Sequence, residues 1–323
     1  MKGLDLARSY YENYGLDMLE QFEQTAPGLS KRAAVGLVGE GSQCFGFDDA
    51  LSHDHDFAPG FCIWLSDADF AAYGNELQQA YDKLPADFAG FSRENIIARD
   101  RLGVMSVGGF YARFTGNPDG APATSLDWLF TPEGQLAVAT NGKIFRDDAG
   151  KFTAIRRQLL EFYPEDVLRK KLAARAAVMS QAGQYNLLRV IRRGDSAAAL
   201  LALARFTEAA ISMVYLLNRR YTPFYKWAFH GLADLPLLAS DIAPLLAAAV
   251  EVPDLVKAGR LHEAGQKSFD ITEDICHRTA EELNRQGFSA SKDDFLQNHL
   301  ADIMEGIKDP QLRAMPPMFD CGN

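Results

Sequence analysis

Cysteine, histidine and positive charge are all scarce in this chain of 323 residues. None of the cysteines has the C-x-x-C spacing or the metal-ligand spacing of a zinc or redox motif; they are Cys44, Cys62, Cys276 and Cys321. Scattered free thiols of this kind are typical of a protein in the reducing cytosol. The cysteine pattern therefore argues against a disulfide scaffold and against a cysteine-based metal site.

The shortage of positive charge also bears on the partners. The chain has 33 Lys and Arg against 43 Asp and Glu, a formal net charge of −10. Because nucleic acids are bound by surplus Lys and Arg, we expect no nucleic acid partner. Residues 1–15 lack the apolar core and cleavage site of a signal peptide. Apolar runs such as 196–204 are too short to span a bilayer, so we expect a cytoplasmic protein without membrane association.

The chain is long enough for two domains, and its first half mixes element types. Three strands are predicted, at 33–38, at 104–107, and from His55 through to residue 65. A helix is predicted at 67–84, with Ser66 as its N-cap. Asn141-Gly142 predicts a tight turn.

After Pro164 glycine and proline become rarer, and Ala, Leu and Arg dominate. Helical periodicity predicts four main helical segments, at 167–182, 196–218, 242–250 and 269–286. The predicted fold class is therefore α+β. A small mixed-sheet domain at residues 1–160 is followed by an all-helical bundle domain at 161–323.

The most informative pattern is a glycine-serine turn followed by two aspartates. Gly41 and Ser42 follow the first predicted strand, and Asp54 and Asp56 come shortly after. Backbone N–H groups at such a turn are able to cradle phosphate oxygens. Residues i and i+2 of a strand point to one face, so the two carboxylates would stand side by side. Paired oxygen ligands suit Mg²⁺, and together with a phosphate cradle they predict nucleotide chemistry.

This pattern resembles the signature of the DNA polymerase β-like nucleotidyltransferase superfamily. The resemblance is closer to bacterial members with a helical C-terminal domain, such as the kanamycin, streptomycin and lincosamide nucleotidyltransferases. It is closer still to an uncharacterised bacterial family of that fold, on the segments 52–57, 141–147, 163–167, 183–186 and 217–227. The resemblance spans residues 33–236 and implies that residues 1–160 are a nucleotidyltransferase domain.

The family's activity would be metal-dependent transfer of a nucleoside monophosphate onto a hydroxyl of a small molecule or a protein. AMP from ATP is the expected group. By this resemblance Asp54 and Asp56 hold two Mg²⁺ ions, which activate the attacking hydroxyl and neutralise the leaving pyrophosphate. Gly41 and Ser42 would contact the phosphates. The structural alternatives are a solvated polar loop for the aspartates and a plain tight turn for the glycine and serine.

The superfamily also has a third carboxylate on a neighbouring strand, for which there are two candidates. Asp100 lies just before the strand predicted at 104–107, and Asp127 precedes a Thr-Pro-Glu that favours a helix. In the antibiotic-modifying relatives a lysine of the helical domain reaches the triphosphate. Lys226 is the matching residue here, with a solvated surface lysine as the alternative. Tyr221 is a candidate for the nucleotide or acceptor pocket, with core packing as the alternative.

Two residues depart from the superfamily pattern, because Glu40 and His55 stand where apolar residues are usual. The open choice of third carboxylate permits a second function, a catalytically degenerate protein that binds a nucleotide or a protein partner. A third is the modification of a protein in a toxin–antitoxin system. The pair His53-Asp54 also resembles HD-type metal phosphohydrolases, but those need further His and Asp ligands on other helices, an arrangement that the remaining histidines do not show.

Overall fold

Two compact units make up the structure, a computed structural model that describes residues 1–53, 57–95 and 99–320. Unit 1 comprises Met1–Ala123 and Gln135–Glu161, and unit 2 comprises Thr124–Gly134 and Phe162–Asn323. The fold class is α+β as predicted, with a small mixed sheet in unit 1 and helices in unit 2. The sequence places Thr124–Gly134 with residues 1–160. The segment instead groups with unit 2, where the Glu133 side chain is buried among helices.

The main sheet of unit 1 is mixed. The strands in chain order are β1 Ala34–Leu37, β2 Cys62–Leu65, β3 Asp87–Phe88, β4 Phe91–Ser92, β5 Gly103–Ser106 and β6 Lys143–Asp147. Four of them form one sheet in the order β5-β2-β1-β6, while β3 and β4 form a hairpin of their own. β1 is antiparallel to β2 and β6, and β2 is parallel to β5. The carboxyl end of β1 therefore meets the starts of β2 and β5 at one end of the sheet.

Most predicted elements of the first half are confirmed. Its helices are α1 Gly3–Tyr10, α2 Leu16–Phe22, α3 Leu29–Arg32, α4 Ser42–Phe45, α5 Asp67–Asp82, α6 Val107–Thr115, α7 Ser125–Phe130, α8 Glu133–Thr140 and α9 Lys151–Leu160. A π-helical turn, Tyr11–Gly15, joins α1 to α2. Ser66 caps α5 as predicted, because its hydroxyl accepts a hydrogen bond from the Asp69 N–H at 3.1 Å.

Both faces of the sheet are covered, which explains the apolar runs of β1 and β2. On one face Ile63 and Leu65 of β2 belong to the same core as Phe61, whose ring packs against Tyr81 of α5 with centroids 5.1 Å apart. On the other face Trp64 stacks on Phe152 of α9 at 4.1 Å and meets Phe110 of α6. Alternate residues of β2 therefore pack into two apolar layers, because successive side chains of a strand point to opposite faces of the sheet.

The predicted strand from His55 to residue 65 is only partly confirmed. The prediction is wrong for residues 57–61, the part before Cys62 that the structure describes. Residues 57–61 are irregular, and only Cys62–Leu65 pairs as a strand. Pro59 has no N–H to give to a ladder. A side chain on Gly60 would lie 2.6 Å from the Leu102 side chain, so the backbone passes close to its neighbour there. Asp54 to Asp56 lie outside the described residues, and their side-by-side arrangement stays a prediction.

Unit 2 is built from helices, and the four predicted helical segments are confirmed. The helices are α10 Glu165–Met179, α11 Leu188–Arg192, α12 Ser196–Leu217, α13 Tyr225–Ala228, α14 Ala239–Ala249, α15 Val252–Lys257, α16 Leu261–Arg285, α17 Leu300–Glu305 and α18 Pro310–Ala314. A π-helical segment, Ser180–Leu187, joins α10 to α11. Short 3₁₀ turns occur at His230–Asp234 and Leu296–His299.

Helix α12 is the apolar centre of unit 2. With 22 residues it is long and apolar enough to cross a membrane, whereas the sequence estimate used the shorter run 196–204. Most of the helix is buried inside the unit, including Phe206 and Met213. The core helix of a soluble protein passes the same test, so α12 is weak evidence for a membrane span.

Candidate functional site

A glycine turn leaves the sheet at the carboxyl end of β1. Gly39 and Gly41 have φ angles of 135° and 111°, values that only glycine adopts without strain. Among the described residues no atom lies within 4 Å of the position that a Cβ on Gly39 would take. The turn leads directly into α4, which begins at Ser42. It therefore presents open backbone at this end of the sheet.

Asn141 fixes this turn, a role that the sequence analysis missed. Its amide nitrogen donates to the Gly39 carbonyl at 2.8 Å, and its amide oxygen accepts from the Gly39 N–H at 3.0 Å. The next N–H, of Gly142, donates to the Cys44 carbonyl at 2.8 Å. A Cβ on Gly142 would collide with the Leu37 carbonyl oxygen. The dipeptide Asn141-Gly142 predicts a tight turn, and that turn also positions the backbone of Gly39.

Charged side chains stand beside the turn in a linked series. Glu40 accepts hydrogen bonds from Arg101 Nε at 3.1 Å and from Arg113 Nη2 at 2.8 Å. Arg113 Nη1 donates to Asp100 at 3.1 Å. The side chains are 35% exposed for Glu40, 40% for Arg113 and 69% for Asp100. Glu40, which departs from the superfamily pattern, thus positions two guanidinium groups at the carboxyl end of β1.

A cavity of about 270 Å³ opens at the same place in unit 1. Its polar wall contains Glu40, Asp100, Arg101 and Arg113 together with the Gly39 backbone. Its apolar wall is formed by side chains from β5, α5 and α6, namely Phe70, Val104, Met105, Phe110 and Phe114. A concave site with an apolar wall and a few convergent polar groups is typical of small-molecule binding.

Three of the predicted site residues lie at this end of the sheet. Gly41 and Ser42 belong to the turn, and Asp100 lies in the 3₁₀ turn Arg99–Arg101 that precedes β5. Asp54 and Asp56 lie outside the described residues, so their predicted metal site is not tested. Within the described ranges, no group of three or more His, Cys, Asp and Glu side chains is arranged to hold a metal ion.

Asp127, the other candidate for the third carboxylate, lies in unit 2 and caps a helix. The Thr124 N–H and hydroxyl donate to its carboxylate at 3.0 and 2.7 Å, and its own N–H donates back to the Thr124 hydroxyl at 3.2 Å. This reciprocal arrangement is a capping box at the start of α7. The helix agrees with the sequence prediction. The choice of third carboxylate stays a prediction, with Asp100 on the wall of the cavity and Asp127 in a capping box.

Lys226 and Tyr221 differ in exposure. Lys226 is exposed on α13, with its ammonium group 5.6 Å from the centre of the Trp227 ring. Tyr221 is buried, and its ring centroid lies 4.9 Å from that of Phe162 and 5.2 Å from that of Tyr163. Burial raises the pKa of the Tyr221 hydroxyl well above its usual range. Its placement fits core packing, the alternative given above, and the role of Lys226 stays a prediction.

Comparison with known families gives one match. Residues 128–228 match the model of a family described as a domain of unknown function, DUF4037. The match is consistent with the uncharacterised family predicted from the sequence, but it covers neither Gly41 and Ser42 nor Asp54 and Asp56. A search of curated proteins gives no significant match.

Proposed function

We propose that unit 1 is a nucleotidyltransferase domain that binds a nucleoside triphosphate at the carboxyl end of β1. It would transfer a nucleoside monophosphate, with AMP from ATP as the expected group, to a hydroxyl of a small molecule or a protein. The observation that carries the proposal is the shared cavity. The glycine turn, Asp100 and two arginines meet at the end of the sheet where β2 begins. Strand β2 is the strand that follows Asp54 and Asp56 in the chain.

The residues at this end of the sheet fit a nucleotide. The open backbone at Gly39 and Gly41 leaves room for phosphate oxygens, since no side chain can be placed there without strain. Arg101 and Arg113 supply fixed positive charge, which a site with several carboxylates needs in order to admit an anionic triphosphate. Asn141 keeps the Gly39 backbone in place before the ligand arrives.

The donor set also fits Mg²⁺. Asp100 is an exposed carboxylate on the wall of the cavity, the hard oxygen ligand that Mg²⁺ takes in proteins. With Asp54 and Asp56 it would form the predicted acidic set. Bound there, Mg²⁺ would supply neutralisation of the phosphate charge. The chain itself would orient the triphosphate through the turn and hold the acceptor hydroxyl beside a carboxylate that accepts its proton.

The proposal is tested by label transfer from ATP labelled at the α-phosphate. The full chain is incubated with Mg²⁺ and with either a small-molecule extract or the proteins of a lysate as acceptors. We expect labelled product with the wild type and with the control Asp49→Asn, an exposed aspartate of the same stretch. Asp56→Ala should abolish it. Failure of the wild type to bind ATP in calorimetry, with or without Mg²⁺, would count against the proposal.

One observation favours a second candidate function, nucleotide binding without turnover. Asp100 is already paired with Arg113, and Arg113 also binds Glu40, so the carboxylate is held by a cation rather than left free for a metal. In that case ATP binding persists, while Asp54→Ala and Asp100→Asn change no measurable reaction. Transfer activity that depends on both aspartates would contradict this second function.

A further inference from the structure

Five charged side chains meet inside unit 2, and three of them are cations. Lys170, Lys171 and Arg175 lie on α10, Glu133 begins α8, and Asp320 lies near the end of the chain. No side chain among Lys171, Arg175, Glu133 and Asp320 is more than 8% exposed. Lys170 is fully buried. Because buried charges are costly unless they are paired, the partners of each group determine what the cluster does.

Glu133 and Asp320 are held differently. Glu133 accepts hydrogen bonds from Arg175 Nη2 at 2.8 Å and from the hydroxyl groups of Ser212 and Thr222. The Lys171 ammonium group also lies near its carboxylate. Asp320 is held by two cations, one of which, the Lys171 ammonium group, donates a hydrogen bond to it. Lys171 Nζ lies 3.1 Å from one of its oxygens and Arg175 Nη1 lies 2.9 Å from the other. Two cations presented to two oxygens form a geometry that serves a phosphate as well as a carboxylate.

Asp320 ends a segment that we call the C-terminal strap, residues 315–320. Lys170 Nζ donates to the carbonyls of Pro316, Pro317 and Phe319, at 2.9, 2.9 and 2.6 Å. The side chains of Met318 and Phe319 remain largely exposed. A cavity of about 490 Å³ separates part of the strap from α10 and the π-helical segment. The polar anchors at Lys170 and Asp320 therefore hold the strap, together with one contact between the rings of Phe319 and Phe130, whose centroids lie 5.9 Å apart.

The charges of the cluster do not cancel. Three cations face two carboxylates, which leaves one positive charge in a buried region. Burial lowers the pKa of Lys170 to about 8, the direction expected for an ammonium group without full compensation. A phosphate dianion in place of the Asp320 carboxylate would add the missing negative charge and, together with Glu133, balance all three cations.

We propose that Lys170, Lys171 and Arg175 form a binding site for a phosphate dianion, and that Asp320 of the C-terminal strap occupies it as a built-in competitor. The ligand class is inorganic phosphate or a phosphomonoester. Binding would release the strap from α10. The proposal concerns unit 2 alone and does not depend on the function proposed for unit 1.

The first test measures phosphate affinity by calorimetry at constant ionic strength, with sodium chloride as the balancing salt. Asp320→Asn should bind inorganic phosphate at least roughly tenfold more tightly than the wild type, because a tethered carboxylate competes at an effective concentration on the order of millimolar. Glu305→Gln removes an exposed carboxylate from the neighbouring helix α17 and should leave the affinity unchanged. Adding Lys171→Met to Asp320→Asn should abolish the gain.

The source of the phosphate is distinguished by a second ligand. A gain in AMP affinity by Asp320→Asn over Glu305→Gln, without a gain for adenosine, would identify a phosphomonoester site, because any AMP bound by unit 1 is common to both variants. A gain for inorganic phosphate alone would identify a site for the free ion. If Asp320→Asn and a chain that stops after Ala314 both fold and neither exceeds Glu305→Gln in affinity for phosphate, the proposal is overturned.

A third measurement uses the wild type and so does not depend on how a variant folds. Phosphate should accelerate amide hydrogen exchange in the C-terminal strap, since the displaced segment loses the anchor at Asp320. Chloride at the same ionic strength should not. Equal exchange in the two salts would contradict release of the strap by phosphate.

Discussion

The two units use the same residue types in opposite environments. In unit 1 Glu40, Arg113 and Asp100 form pairs that are one-third to two-thirds exposed, beside an open cavity. In unit 2 Glu133 and Arg175 form a pair that is almost fully buried. Exposed pairs contribute little to stability and exchange partners readily, whereas a buried pair is costly to break. The comparison indicates that the exposed pairs of unit 1 are suited to exchanging partners with a ligand, whereas the Glu133–Arg175 pair of unit 2 holds distant segments of the chain together.

The largest expected effect comes from breaking the buried pair. Glu133→Ala should lower the free energy of unfolding by about 3–5 kcal/mol, because it leaves Arg175 buried without one of its carboxylates. The measurement is urea denaturation followed by circular dichroism and by tryptophan fluorescence, to which Trp128 and Trp227 of unit 2 contribute together with Trp64 of unit 1. A loss below about 1 kcal/mol would show that the pair of unit 2 behaves like an exposed one.

The same carboxylate should give unit 2 an acid-dependent stability. Burial raises the pKa of Glu133, but Arg175 and Lys171 outweigh burial and hold it below its ordinary value of 4.5. The stabilisation is therefore complete above pH 4.5 and is lost as the pH falls below it, where the unfolded chain takes up the proton first. Stability of Glu133→Gln, measured between pH 6 and 3, should fall less steeply than that of the wild type. Equal slopes would contradict the assignment.

An intermediate effect is expected from the turn of unit 1. Asn141→Ala leaves the Gly39 N–H and carbonyl without their side-chain partner, and should cost about 1–3 kcal/mol of unfolding free energy. ATP affinity should fall as well, because the turn loses its fixed backbone. The control is Asn13→Ala, which removes an exposed amide that donates to Ser9 within the N-terminal helical region. Normal ATP affinity in Asn141→Ala would mean that the turn does not contact the nucleotide.

The smallest change in stability is expected at Glu40. Glu40→Gln should alter the free energy of unfolding by less than about 1 kcal/mol, because its pairs are exposed. It also removes one negative charge beside the proposed phosphate site, which should tighten ATP binding roughly fivefold, about 1 kcal/mol. Calorimetry in low and high salt would check this, since the gain should shrink as salt rises. Weaker ATP binding would instead mean that Glu40 itself contacts the ligand.

Local signals predicted much of unit 1. The start of α5 follows from Ser66, whose hydroxyl caps the helix, and the turn after β1 follows from Gly39 and Gly41. The irregular segment before β2 was missed, because the apolar pattern concealed the effect of Pro59. Asp127 shows that local signals in the candidate site were also misread. A carboxylate three residues after Thr124 is a capping signal, and an expected catalytic position obscured it.

The buried cluster of unit 2 could not be predicted from sequence. Lys170, Lys171 and Arg175 lie on a helix rich in alanine, where basic residues usually face solvent. Their burial depends on Glu133 and Asp320, which come from distant parts of the chain. Only the three-dimensional contacts show that these charges belong together.

The path of the chain between the units limits how the protein can be divided. The backbone enters unit 2 at Thr124, returns to unit 1 at Gln135 and enters unit 2 again at Phe162. A fragment that ends at residue 160 would expose Glu133 without its guanidinium, and the complementary fragment would bury Arg175 without Glu133. We therefore expect neither half to fold when it is produced alone, and expect that mixing the two during refolding would restore a native complex.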